Sequence, residues 1–142
     1  MPSSSRHMAR RGALQALYRW ELTGEFVDGA EDSFIDDWGL KGVDREYFNE
    51  LVYGVPKSVC QLDTLLEQCM DRGLSTVDHI ERTILRLAVY ELQFCPNIPT
   101  SVVLDEALRL SHAFGAEEGY RFINGVLDRC HILCRSTEKN LT

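Results

Sequence analysis

Long apolar runs are missing from this chain, and none approaches the roughly 18 residues that a membrane-spanning helix requires. Arg6 has no apolar stretch behind it, so the N-terminus does not read as a secretory signal. The four prolines and ten glycines are scattered along a chain rich in helix formers. No segment alternates polar and apolar residues with period two over a strand's length, which leaves no signal for a sheet. The sequence holds no Gly-rich phosphate loop ending in Lys-Ser/Thr, no H-E-x-x-H and no C-x-x-C pair. His7, His79, His112 and His131 are dispersed, and none has a Ser or Cys partner in sequence. Those absences exclude the common hydrolytic, metal-dependent and nucleotide-driven chemistries, and the chain reads as a binding protein with no cofactor and no metal.

Five cysteines make an odd set without a regular framework, as expected of reduced thiols in a cytoplasmic protein. Cys130 and Cys134 lie four apart on one helical face beside His131, but two further ligands at a credible spacing are lacking. They read as buried or half-buried thiols.

The 142 residues suit one domain with a sizeable core, and 44% apolar and 26% charged residues are ordinary for a globular chain. A net charge of −7 argues at first against nucleic acid. Its distribution argues otherwise. Residues 1–23 carry Arg6, Arg10, Arg11 and Arg19 against Glu21, whereas residues 24–50 carry nine acids against Lys41 and Arg45. A basic first helix on an acidic body is a local patch, and local potential governs binding.

Apolar spacing predicts an all-α fold of about seven helices. Ala9, Ala13, Ala16, Leu17 and Trp20 mark the first over 9–23, which Gly24 ends. Phe34, Ile35 and Trp38 anchor a short acidic helix over 31–38. Asp44 caps a third that stops at Pro56, and Ser58 with Gln61 forms a capping box for a fourth. A fifth, capped by Ser75 or Thr76 and running to about Phe94, is apolar around most of its circumference and therefore central. Pro96 and Pro99 turn the chain into a sixth helix, closed by Gly115. The seventh has Tyr120, Ile123, Leu127, Cys130 and Cys134 as its seam, with a frayed polar tail from Arg135. Residues 1–142 form a single helical domain, and a looser joint at Gly73 separates a subbundle over about 9–72 from one over about 75–134.

Arg86, Glu106 and Asn124 lie on helices with large apolar stripes and are expected to form an internal polar network. Tyr120, Arg121, Phe122 and Asn124 cluster at the start of the last helix. Phe122 is off the buried seam, so a ring beside an arginine can offer base stacking next to phosphate pairing. On the first helix, Gln15 and Tyr18 accompany the arginines as a base-edge reader and a stacking surface.

Three blocks carry a resemblance: A-L-Q-A-L-Y-R-W-E-L-T from Ala13, E-R-T-I-L-R-L-A-V-Y-E-L from Glu81, and F-G-A-E-E-G-Y-R-F-I-N-G-V-L-D from Phe114. In that order they resemble the N-utilisation substance B (NusB) family of bacterial transcription antitermination factors, from about Ala9 to Arg129. The resemblance implies two small helical bundles, no catalysis, and pairing with NusE, a small-subunit ribosomal protein. It implies binding of single-stranded BoxA RNA in ribosomal RNA leaders, within an RNA polymerase elongation complex carrying other Nus factors and resisting Rho-dependent termination. Carried onto this chain, the RNA surface comprises Arg6, Arg10, Arg11, Gln15, Arg121 and Phe122. The NusE surface comprises Tyr18, Glu81, Arg82 and Glu118, with Glu81 and Phe122 facing outward. His7 and Met8 stand where the family often has a denser arginine run, which predicts weaker RNA binding without NusE. Two other readings compete. One is a helical protein-interaction adaptor without RNA binding. The other is a ribosomal RNA methyltransferase module, for which the chain has no room for a cofactor-binding sheet.

Overall fold

The computed structural model describes residues 2–25 and 44–140, with side chains over 5–25 and 44–135. Every regular element among them is helical: α1 (Pro2–Thr23), α2 (Arg45–Lys57), α3 (Val59–Gln68), a 3-10 turn (Leu74–Thr76), α4 (His79–Phe94), α5 (Thr100–Phe114) and α6 (Gly119–Asn140). The all-α expectation holds, with six α-helices among the described residues. The short helix expected over 31–38 lies outside them.

The chain divides into two compact units, residues 1–57 and 58–142. In the first, α1 packs on α2. Ala9, Ala13, Leu14, Ala16 and Leu17 are buried on one helix, and Phe48, Leu51, Val52 and Val55 on the other. Helix α1 starts seven residues earlier than its apolar stripe suggests. Its first turns are held by polar contacts, among them the Asp44 N–H donating to Ser5 O at 3.2 Å, which hydrophobic periodicity does not register. Gly24 ends α1 as expected: its φ of +75° is costly for residues with a Cβ, and its N–H donates to Trp20 O at 2.7 Å. Asp44 caps α2, its Oδ1 accepting from Tyr47 N–H at 2.9 Å.

The second unit forms around α4, which packs against α3, α5 and α6. Ile84, Leu85, Leu87, Ala88, Val89 and Leu92 are all buried, so this helix is central as its composition predicts. Each of the buried Ile, Leu and Val side chains contributes about 1.5–3 kcal/mol of burial. The boundary between units differs from the expected joint at Gly73. Helix α3 packs on α4 and α6, so it belongs with the later helices.

Two caps also differ. Asp78, not Ser75 or Thr76, caps α4, its Oδ2 accepting from Ile80 N–H at 3.1 Å and Glu81 N–H at 3.3 Å. Ser75 and Thr76 are taken up by the preceding 3-10 turn. Ser58 makes no side-chain cap, because its ψ of 11° departs from the extended backbone that aims a capping side chain at the helix. Pro56 lies inside the last turn of α2 rather than beyond it.

Of Arg86, Glu106 and Asn124, the residues expected to form an internal polar network, the first two make polar contacts from half-buried and buried positions. Arg86 grips Asp63 of α3 with two bonds, Nε to Oδ1 at 2.8 Å and an Nη to Oδ2 at 2.9 Å. Glu106 accepts from Arg109 one turn along α5 at 3.0 Å. Asn124 is exposed on α6 and is therefore not a buried member of any network.

Arg135, expected to begin a frayed tail, is itself anchored. It is 7% exposed, and its backbone leaves helical geometry at φ −123°, ψ 19°. Its guanidinium donates to Leu92 O at 2.9 Å, Ile98 O at 2.8 Å, Thr100 Oγ1 at 2.9 Å, Cys95 O at 3.1 Å and Glu91 O at 3.3 Å. One side chain thus closes the negative C-terminal end of α4 and ties it to the start of α5.

Candidate nucleic-acid interface

In the first unit, helix α1 carries Arg6, Arg10, Arg11 and Gln15 of the expected RNA-binding residues. Arg6 and Arg10 are one turn apart and so share a face, and both guanidiniums sit over the Tyr47 ring, at 4.9 Å and 5.3 Å. Arg6 Nε also lies 3.8 Å from Asp44 Oδ2. Arg10 is only 3% exposed. Its expected role as a phosphate contact therefore needs correction: burial against Tyr47 makes it part of the α1–α2 packing. Arg6 and Arg11 remain half-exposed, and Arg19 is exposed. Gln15 and Tyr18 are half-buried, and Gln15 Oε1 is buried without a hydrogen-bond partner.

In the second unit, the expected RNA-binding residues stand at the start of α6. Arg121 is exposed and Phe122 half-buried, as their position off the apolar seam suggests. Arg121 Nε donates to the Tyr120 hydroxyl at 3.2 Å, and that bond raises the guanidinium's pKa further. The Tyr120 ring rests 4.7 Å from the His112 ring. Arg72, from the segment after α3, places its guanidinium 4.4 Å from the centroid of Phe122. Sequence reasoning missed Arg72, since it is fifty residues from Phe122 and lies on no apolar stripe.

Glu81 was expected to face a protein partner, and the structure places it elsewhere. It is 8% exposed, and a Cβ at Gly119 would overlap its carboxylate. Glycine at 119 thus allows the carboxylate to reach the N-terminal end of α6, whose partial positive charge favours an anion. Burial foremost, and then Asp78, still push the Glu81 pKa above its ordinary value, while Arg72 pulls it back. Arg82 is half-buried, and its Nη2 donates to Val77 O at 2.9 Å and Ser75 O at 3.2 Å, pinning the turn before α4. Of the expected partner-facing residues, Glu118 is exposed and Tyr18 is half-exposed.

Nothing in this arrangement pairs a nucleophile with a base. Among the described residues, no group of three or more His, Cys, Asp and Glu could hold a metal ion, and no helix is long and apolar enough to cross a membrane. Burial foremost, and then the neighbouring Cys69, raises the pKa of the buried Cys130. Burial pushes Cys134 up to about 11. Such thiols stay protonated and unreactive near neutrality.

The sequence pattern of the NusB family matches residues 7–131. The chain belongs to the NusB family. It is 46% identical over 129 residues to the transcription antitermination protein NusB of Shewanella amazonensis, covering 91% of this chain and 96% of that one. The corresponding protein of Nitrosococcus oceani is 44% identical over 136 residues, covering 96% and 91%. Among solved structures, NusB of T. maritima superposes with a TM-score of 0.81 at 26% identity, covering 96% of this chain and 97% of that one. An antitermination factor NusB solved with NusE and dsRNA gives 0.81 at 27% identity, covering 89% and 96%. NusB-family membership makes this chain a non-enzymatic regulatory protein.

Proposed function

We propose that this chain is a transcription antitermination factor that pairs with NusE and binds single-stranded BoxA RNA in ribosomal RNA leaders. Acting with other Nus factors on RNA polymerase, the pair suppresses Rho-dependent termination. The observation that carries the RNA reading is the start of α6, where the exposed Arg121 precedes the half-buried Phe122. A surface ring stacks on a base only if that base is unpaired, which favours a single strand over the duplex seen with the related NusB–NusE complex. Arg6, Arg11 and Gln15 on α1 supply further polar contacts, and Tyr18, Glu118 and the segment around Arg82 are the surfaces offered to NusE.

One observation favours a second reading. Arg10 is buried and Arg6 is engaged with Tyr47 and Asp44, so the basic helix carries less phosphate-binding charge than its sequence suggests. A protein-interaction adaptor without RNA binding would use the same fold. The test is a fluorescence titration of labelled BoxA RNA, scrambled RNA and duplex RNA, with and without NusE. The antitermination reading expects NusE to tighten binding to the BoxA strand selectively. It also expects Phe122→Ala to weaken that binding about 5- to 150-fold, the equivalent of one lost stacking contact, at unchanged helicity. Equal affinity for the scrambled strand would sink it and leave the adaptor.

A further inference from the structure

We propose that Arg72 belongs to the same RNA surface as Phe122, holding a phosphate beside the base that stacks on the ring. This inference rests on the RNA-binding reading above and adds to it a residue outside the three blocks of family resemblance. Arg72 is exposed, follows α3, and carries its guanidinium over the Phe122 ring at 4.4 Å. A cation–π contact uses the charge and the ring face, and it leaves the N–H donors of the guanidinium for other acceptors. The contact therefore restrains a long side chain in place without consuming what a phosphate needs. It also occupies one face of Phe122, so a base stacks on the other, with a cation behind the ring.

The surrounding charge explains why a further cation is needed here. Asp71, Asp78, Glu117 and Glu118 are exposed nearby in sequence on the segments leading to α4 and α6, and Glu81 of α4 is buried with its carboxylate against Gly119. Arg72 is close enough to Glu81 to lower its pKa. Arg121, held at Tyr120, would alone bring a phosphate towards this acidic rim, whereas Arg72 adds a second cation, placed at the Phe122 ring itself.

The test measures BoxA single-strand binding by the full chain with NusE across several salt concentrations, for wild type, Arg72→Ala, Arg72→Lys and Phe122→Ala. Arg72→Ala should weaken binding about 5- to 30-fold at low salt and flatten the slope of log K against log salt by about 0.7, the single-strand value for one lost phosphate contact. Its melting temperature should stay within about 2 °C of wild type, since the residue is exposed. Arg72→Lys keeps a cation and should recover the salt slope, which a purely structural role would not do. Phe122→Ala should weaken binding as well. If Phe122→Ala weakens binding while Arg72→Ala keeps wild-type affinity and slope, the inference fails and the RNA reading stands. If Arg72→Ala binds more tightly, Arg72 is a placeholder on the stacking face and the inference also fails. Wild-type binding by both alanine variants overturns the inference together with the site it extends.

Discussion

Replacing Arg135 with Met tests how the second unit is closed. The five bonds from its guanidinium are not equal in consequence. Glu91 O and Cys95 O also accept from Cys95 N–H and Ile98 N–H, both at 3.0 Å, so they keep a partner when the arginine goes. Leu92 O would ordinarily accept from residue 96, which is Pro96 and has no N–H. Ile98 O would look to Val102 N–H, which donates to Pro99 O at 3.0 Å instead. Truncation therefore orphans chiefly two carbonyls, each costing about 1–3 kcal/mol where water does not replace the bond. The expected loss is about 4 kcal/mol, against a total stability on the order of 5–15 kcal/mol. At roughly 3–5 °C per kcal/mol for a chain of this size, the melting temperature should fall by about 12–20 °C. Urea unfolding followed by helical circular dichroism measures it, and Arg135→Lys, which can reach some of the same acceptors, should recover about half. A loss below about 1 kcal/mol for Arg135→Met would refute the reasoning. It would mean that water or the α6 backbone satisfies Leu92 O and Ile98 O equally well.

Asp63→Ala should cost about 2–4 kcal/mol, because it strips the two-bond partner from Arg86, whose side chain is only 11% exposed. The double variant Asp63→Ala with Arg86→Met should recover most of that, and equal loss in single and double variants by thermal unfolding would count against the pair's role. Glu81→Gln should flatten the pH dependence of stability. Burial raises the folded-state pKa above the usual 4.5, so the native chain holds this proton more tightly than the unfolded one. The resulting stability is fully present below the unfolded pKa and is lost as pH rises through the folded one. Urea midpoints across that range should fall in wild type relative to Glu81→Gln, and parallel curves would contradict the burial argument.

Much of the helix inventory was legible in the chain, because an apolar stripe of period 3.6 is itself the physical cause of a packed helix. The stop at Gly24, the cap at Asp44, the turn at Pro99 and the central position of α4 all followed from local chemistry. The start of α1 was not legible, since residues 2–8 have no stripe and are held by contacts to residues some forty positions away. The α4 cap moved from Ser75 or Thr76 to Asp78 because two acceptable caps compete and the 3-10 turn takes the first. At the candidate site, Phe122 and Arg121 were visible as residues off the seam, whereas Arg72 had no local signal.

By itself, then, the sequence determined the fold class, the buried seams and the family to which the chain belongs. The fate of the arginines was left to the tertiary structure. Arg10 lies buried on Tyr47, Arg86 grips Asp63, Arg135 gathers the carbonyls at the end of α4, and Arg72 covers Phe122. An arginine joins an apolar stem to a charged, multidentate head, so its place in a helical pattern is compatible with water, carboxylate, carbonyl or ring. Which of these it meets depends on what the folded chain brings near, and for Arg86, Arg135 and Arg72 those partners lie some 23 to 50 residues away.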